Sequence, residues 1–141
     1  MIEVALIEND DLLRIAFAIR QKVFVEEQNV DPLLEYDEFE KSSRHFLAFV
    51  DDMPAGTARW RQTKNGIKLE RFAVMQEFRG VGVGSALLRK VLDDIAELKD
   101  KVIYLHAQNQ VIPFYEKYGF IIKGDEFEEA NILHHKMVYQ P

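Results

Sequence analysis

The sequence predicts a single α/β domain, residues 1–141, with a mixed, mostly antiparallel central sheet flanked by helices. Three observations predict it. The chain has 141 residues, the length of one domain that can bury a core. Its segments run in the order strand, helices, three strands, helix, strand, helix, two strands. Two turn signals, "DMPAG" (52–56) and "KNG" (64–66), join the three sequential strands as antiparallel neighbours.

Each element has its own warrant. "IEVALIE" (2–8) reads as the first strand, and Asp10 or Asp11 is placed to cap the helix after it. Leu12, Ile15, Ala16, Ile19 and Val23 then recur at helical spacing and form one apolar face. The stretch 25–43 is polar, acidic and broken by Pro32, which predicts a loop with a short helix. "HFLAFVD" (45–51) and "TARWRQ" (57–62) form a hairpin, and "IKLERFAVM" (67–75) is the next strand. After "QEFRGVGVG" a helix runs to about Lys99, with Leu88, Val91, Leu92, Ile95 and Leu98 on one face. "KVIYLHA" (101–107) is nearly continuous in apolar residues, as a strand covered on both faces requires. "VIPFYEKY" (111–118) is a short helix, and Gly119 suits its end. "FIIKG" (120–124) and "HHKMVYQ" (134–140) close the chain as strands.

Composition removes several classes of function. Apolar content is 48% and charged content 30%, which fits a soluble globular domain. The net charge of −6 argues against nucleic acid, which calls for a basic face. No run approaches the roughly 20 apolar residues needed to span a bilayer, so no membrane partner is expected. The N-terminus has no basic region before an apolar run, so no signal peptide is expected. There is no cysteine, which excludes disulfides and thiolate metal sites and suits a reducing, cytoplasmic setting.

The stretch "RGVGVG" (79–84) carries the strongest chemical signal. A strand, a glycine-rich turn and a helix start leave several N–H groups free at the positive end of a helix dipole. That arrangement holds phosphate or pyrophosphate. Glycine also lets backbone approach a ligand closely, and Arg79 adds a positive charge beside it. A tight turn without a ligand would need one or two glycines rather than three. The stretch lacks the Gly-Lys-Ser/Thr ending of a P-loop, and its glycine spacing differs from the dinucleotide fingerprint.

These residues resemble motif A of the GNAT superfamily of N-acetyltransferases, Gln/Arg-x-x-Gly-x-Gly/Ala, with Arg79, Gly82 and Gly84 at its fixed positions. "LERFAV" (69–74) is similar to the family's strand before motif A, and "FYEKYGF" (114–120) to its late "YEKxGF" element. A narrower likeness, in 19–30, 45–61 and 107–120, is to small bacterial members of the YjcF/ElaA type. The resemblance covers nearly the whole chain and implies the GNAT fold. It implies acetyl-CoA as co-substrate, with the pyrophosphate on Arg79, Gly80, Val81, Gly82, Val83, Gly84 and Ser85. It implies that the pantetheine arm pairs with Phe72, Ala73 and Val74, and that Tyr115 lies near the thioester sulfur. Many members keep an asparagine seven residues before that tyrosine. Gln108 stands there and offers an amide of the same kind, with Asn109 one residue out of register.

Acetyl transfer to an amine needs a proton acceptor, a stabilised carbonyl oxygen and a proton for the leaving thiolate. Glu70 precedes Val74 by four residues on one strand, which places both on one face and makes Glu70 the candidate base. The other reading pairs Glu70 with a lysine or arginine across the sheet. Tyr115 is the candidate acid; its plainer role is a tyrosine packed on the core. Backbone N–H groups near Phe72 to Val74 polarise the carbonyl by family analogy. The resemblance puts the acceptor pocket after the first helix, at Phe24, Glu27 and Gln28. Arg59 and Trp60 are further substrate-binding candidates, although Trp60 suits a core position equally.

The acidic run "EYDEFE" (35–40) reads as a solvated face more readily than as an entrance for cations. His134 and His135 are adjacent and point to opposite faces, so they cannot share a metal, and no metal-ligand spacing emerges. His106 ends a central strand and is the histidine best placed for a role. The sequence thus predicts an N-acetyltransferase that moves an acetyl group from acetyl-CoA to the primary amine of a small molecule. Exposed strands at the sheet ends allow a homodimer. Two alternatives stand beside it. One is an acyl-homoserine lactone synthase-like enzyme, suggested by Arg20, Val23, Phe24, Asp37 and His45. The other is an acyl-CoA-binding protein without turnover.

Overall fold

A computed structural model describes residues 1–98 and 100–141. The chain runs β1 (Ile2–Leu6), α1 (Asp10–Arg20), a π-helical turn (Gln21–Glu27), α2 (Pro32–Glu35), β2 (Arg44–Val50), β3 (Met53–Thr63) and β4 (Gly66–Val74). It continues through α3 (Val83–Asp94), β5 (Ile103–Gln108), α4 (Ile112–Glu116), β6 (Phe120–Ile122), β7 (Phe127–Glu129) and β8 (Ile132–Tyr139). The strands form one sheet in the order β1-β2-β3-β4-β5-β8-β6, with β7 also pairing β8. Among the described residues only the β4–β5 pair is parallel, so the sheet is mixed and mostly antiparallel, as the hairpin signals require.

Helices cover both faces. On one, Leu87, Leu88, Val91 and Ile95 from α3 and its end meet Phe46, Ile67, Leu69, Leu105 and Met137 of the sheet. Each such burial contributes about 1.5–3 kcal/mol. On the other, Ile19, Val23 and Phe24 pack with Leu47 and Ala73. The first helix continues without a break into the π-helical turn, which carries Glu27 and Gln28 toward the centre of the sheet.

Local chemistry corrects several boundaries. The helix cap is Asn9, whose side chain accepts from the Leu12 N–H at 2.8 Å; Asp10 and Asp11 lie in the first turn, where acids suit the dipole. The first hairpin turns at Asp51 and Asp52, both with positive φ, and β3 starts at Met53 rather than after Gly56. The helix after the glycine loop ends at Asp94, followed by a 3-10 turn at Ala96–Leu98; its expected end at Lys99 lies outside the described residues. The strand β7 was not anticipated. It joins β8 through Ala130 and Asn131, both left-handed, a turn that lacks the usual glycine.

One irregularity shapes the centre of the sheet. Thr57 pairs with Ala73, but Arg59 pairs with Glu70, so β4 holds one extra residue, and Arg71 sits at φ 59°. This bulge reverses the alternation of side chains. Glu70 therefore shares a face with Ala73, and the expectation that Glu70 and Val74 face together is overturned. Val74 packs on the α3 side, while Ala73 packs on the α1 side.

Candidate active site

The strands β4 and β5 pair only at Ile67–Ile103, Lys68–Tyr104 and Leu69–Leu105. Beyond that point β4 stays with β3 and β5 stays with β8, so the two diverge. A cleft of ≈ 1120 Å³ opens where they part. Phe72, Ala73 and Val74 line one wall, and His106, Ala107 and Gln108 the other. On the side facing β5, Phe72 to Val74 have no ladder partner among the described residues, which leaves backbone groups for an extended ligand to pair with.

The cleft ends at the start of α3. Gly82 is its N-cap, with φ 101° and no side chain capping the helix. The amides of the first turn, Val83, Gly84 and Ser85, are therefore uncommitted at the positive end of a twelve-residue helix. Gly80 and Gly82 both need the left-handed region. Gly84 does not, and a Cβ there would meet Phe114 only at 3.6 Å, an ordinary contact. The fold does not demand a glycine at 84. Val81 is exposed and outside the cleft lining, so its backbone rather than its side chain suits a loop role. Arg79 donates from Nε to the Val74 carbonyl at 2.9 Å and from Nη2 to both oxygens of Glu27 at 2.9 and 2.8 Å.

Comparisons with known proteins show the family and the fold. The family described as "Acetyltransferase (GNAT) domain" matches residues 14–141. The Bacillus subtilis (strain 168) protein named "Uncharacterized N-acetyltransferase YjcF" is 36% identical over 132 residues, 93% of this chain and 94% of that protein. The chain belongs to the GNAT acetyltransferase family. The crystal structure of Escherichia coli ElaA superposes with a TM-score of 0.88 at 29% identity, covering 99% of this chain and 100% of that one. A Bacillus subtilis acetyltransferase solved in complex with CoA shares the fold at a TM-score of 0.72 and 17% identity, with 100% and 99% covered.

In this GNAT domain Tyr115 rises from α4 into the cleft lining. Phe72, Phe114 and Phe120 surround its ring edge-on. Burial pushes its phenol up, which keeps it protonated at neutral pH. The hydroxyl makes no hydrogen bond among the described residues, and no fully buried polar side-chain atom there lacks a partner. It therefore opens to the cleft. Gln108 donates to Gln28 Oε1 at 2.8 Å and accepts from Gln110 at 3.3 Å. Asn109 turns away, bonding Glu126 and contacting His135. Phe24, Glu27 and Gln28 line the cleft together.

Glu70 also lines the cleft, but three cations hold it: Arg61 at 2.7 Å, Arg59 at 2.9 Å and Lys68 at 3.2 Å. Burial alone would raise its carboxyl. The Arg61 hydrogen bond and the neighbouring charges outweigh burial and bring it down to about 2. Such a carboxylate is a weak proton acceptor at neutral pH. Arg59 is 0% exposed and lies beneath the cleft rather than in its lining, shared among Asp37, Glu40 and Glu70. Trp60 faces the α3 side, where its indole N–H donates to Asp94 at 2.8 Å.

The acidic run turns inward, against its expected place on a solvated face. Glu35 and Glu40 clamp the buried Arg20, Asp37 and Glu40 clamp Arg59, and Arg71 reaches Glu35 and Asp37. Alternation along a single strand does not reveal these pairings, because the partners come from two helices, a loop and two strands. Sequence reasoning also passed over Lys68, Arg61, Arg71 and Glu129 as cleft residues. Glu129 had no signal, since β7 itself was not foreseen. Among the described residues no group of three or more His, Cys, Asp or Glu could hold a metal, and no helix is long and apolar enough to cross a membrane.

Proposed function

We propose that this enzyme transfers the acetyl group of acetyl-CoA to the primary amine of a small molecule by direct attack, within the cytoplasm. The observation that carries the reading is the wedge between β4 and β5, which leads to an uncapped helix start at Gly82. A pyrophosphate on the amides of Val83 to Ser85 would leave the pantetheine arm to run along Phe72–Val74, with Gln108 opposite. A Bacillus subtilis acetyltransferase of the same fold, solved in complex with CoA, supports CoA as the donor.

The chemistry follows from this placement. The amine nitrogen attacks the thioester carbon and an N–C bond forms. The charge on the carbonyl oxygen is met by backbone N–H near the bulge at Arg71 and Phe72. The C–S bond then breaks, and the sulfur takes the Tyr115 hydroxyl proton. The proton shed by the new amide nitrogen returns to Tyr115 through water. Glu70, fixed among cations, orders the acceptor end and takes part in proton transfer only through water. Phe24 contacts the acceptor from the π-helical turn, whereas Glu27 and Gln28 are held by Arg79 and Gln108 on the donor side.

Calorimetric titration with acetyl-CoA, with NAD and ATP as controls, tests the donor site. A screen of primary amines by thiol release then tests transfer. Micromolar binding of acetyl-CoA alone, with amine-dependent thiol release, is expected. Absence of acetyl-CoA binding overturns the reading, and binding without release from any amine favours an acyl-CoA-binding role.

A further inference from the structure

One face of the sheet brings together a second set of titratable groups at the acceptor end. In the registers, Lys68 pairs with Tyr104, His106 with Lys136, Gln108 with His134, and Phe127 with His134. All therefore point to the α1 side, the side that also holds Glu70 and Glu129. His106 and His134 both line the cleft, as does Glu129.

His106 and His134 differ in what is left free. The His106 Nδ1 lies 3.2 Å from Glu129 Oε1. A carboxylate only accepts, so Nδ1 carries the hydrogen and Nε2 keeps its lone pair. That Nε2 has no partner among the described residues, and the side chain is 26% exposed. The ring is steadied by Phe127, edge-on at 5.0 Å, and by Tyr104 at 6.0 Å. His134 is only 8% exposed, its Nδ1 is spent on the Ile132 carbonyl at 2.7 Å, and its ring is stacked on Phe127. The usual carboxylate candidate, Glu70, is committed to three cations.

We infer that His106 is the group that accepts the proton of the acceptor amine, with Glu129 as the positioning residue that fixes its tautomer. The inference rests on the transfer reading above. It also names the acceptor class: an alkyl amine, protonated at neutral pH, since only such an amine must shed a proton before attack. The ammonium gives one proton to His106 Nε2, which passes it to solvent, and the free amine attacks the thioester. Glu129 supplies the negative charge that draws the ammonium to this end. The other ionisable groups around His106 are His134 and Lys136 on β8, Lys68 and Glu70 on β4, and Tyr104 on its own strand.

The test combines a spectroscopic and a kinetic reading. Nitrogen NMR of the histidines in the free enzyme should show the His106 ring as the Nδ1–H tautomer, and Glu129→Gln should disturb it. With acetyl-CoA and the alkyl amine that scores highest in the screen, His106→Gln should lower kcat/KM about a hundredfold. It should also remove the acid limb of the pH profile and leave acetyl-CoA binding by calorimetry within twofold. Glu129→Gln should shift that limb while Glu129→Asp retains it. A His106→Gln enzyme that keeps both its rate within threefold and its acid limb overturns the inference. So does an Nε2–H tautomer in the wild-type protein, or a loss of acetyl-CoA binding in the variant, which would put His106 in the donor site. Failure of every amine in the screen while acetyl-CoA still binds overturns the transfer reading itself, and is seen in the wild-type enzyme before any variant is made.

Discussion

Arg79 of the glycine loop and Glu27 of the π-helical turn, 52 residues apart, close on each other across the mouth of the cleft through two hydrogen bonds of 2.8 and 2.9 Å. The pair is partly exposed, so it is worth about 1 kcal/mol at most. A pyrophosphate held on the loop, as proposed, would compete with Glu27 for the same guanidinium. Glu27→Gln is therefore expected to tighten acetyl-CoA binding by up to about fivefold at low salt, with the gain shrinking as salt is added. Calorimetry at two ionic strengths reads both effects, and weaker binding at low salt would show that Glu27 helps the donor rather than opposing it.

The glycines at 82 and 84 separate folding from binding. Gly82 has φ 101°, so Gly82→Ala strains the backbone and costs about 1–2 kcal/mol of stability. Gly84 has room for a Cβ beside Phe114. Gly84→Ala is expected to leave the melting temperature within a few degrees and to weaken acetyl-CoA binding at least tenfold. A stable Gly84→Ala protein with unchanged affinity would remove the pyrophosphate from this turn.

Tyr115 is surrounded by aromatic rings, yet its hydroxyl faces the cleft. Tyr115→Phe keeps the ring packing and deletes the proton. The expected result is a fall in kcat of roughly a hundredfold, with acetyl-CoA affinity changed less than threefold. Equal losses in kcat and affinity would reduce Tyr115 to a wall of the pocket.

The buried ion network predicts a specific acid response. Glu70 and Asp37 are both held at about 2, below the value near 4 of an unfolded carboxylate. A lowered folded value means stability that is present above about pH 4 and lost as pH falls toward 2. Each group contributes about 2–3 kcal/mol, and the two overlap because both lean on Arg59. Glu35 works the other way: burial raises its carboxyl, so its ionisation costs stability as pH rises. Denaturant midpoints at pH 7, 4 and 3 should fall steeply only in the last interval, and Glu70→Gln should flatten that fall while lowering the midpoint at pH 7.

Most of the strand and helix order was readable, because Leu88, Val91, Leu92 and Ile95 or the "KNG" turn carry their signals within a few residues. The glycine turn before α3 was readable for the same reason: its glycines lie in one short stretch. The far end of the cleft, around Glu70 and Glu129, was not. The bulge at Arg71 has no glycine or proline to announce it, and it moved Glu70 to the face opposite Val74. The turn at Ala130–Asn131 lacked its customary glycine, which hid β7 and with it Glu129. The partners of Arg20 and Arg59 lie 11 to 22 residues away along the chain and meet only through the fold.

The sharing of Arg59 sets how this enzyme can change over generations. A guanidinium with no exposure, divided among Asp37, Glu40 and Glu70, cannot lose one carboxylate without leaving buried charge unmatched. Drift in this network must therefore come as compensated pairs, the first step of which is a loss. The glycine loop is restrained differently: Gly80 and Gly82 are fixed by their positive φ, whereas at Val81 and Ser85 the main chain tolerates other side chains. Lineages descended from this chain should keep the Arg59 ion network as a block and collect their neutral substitutions at positions such as Val81 and Ser85.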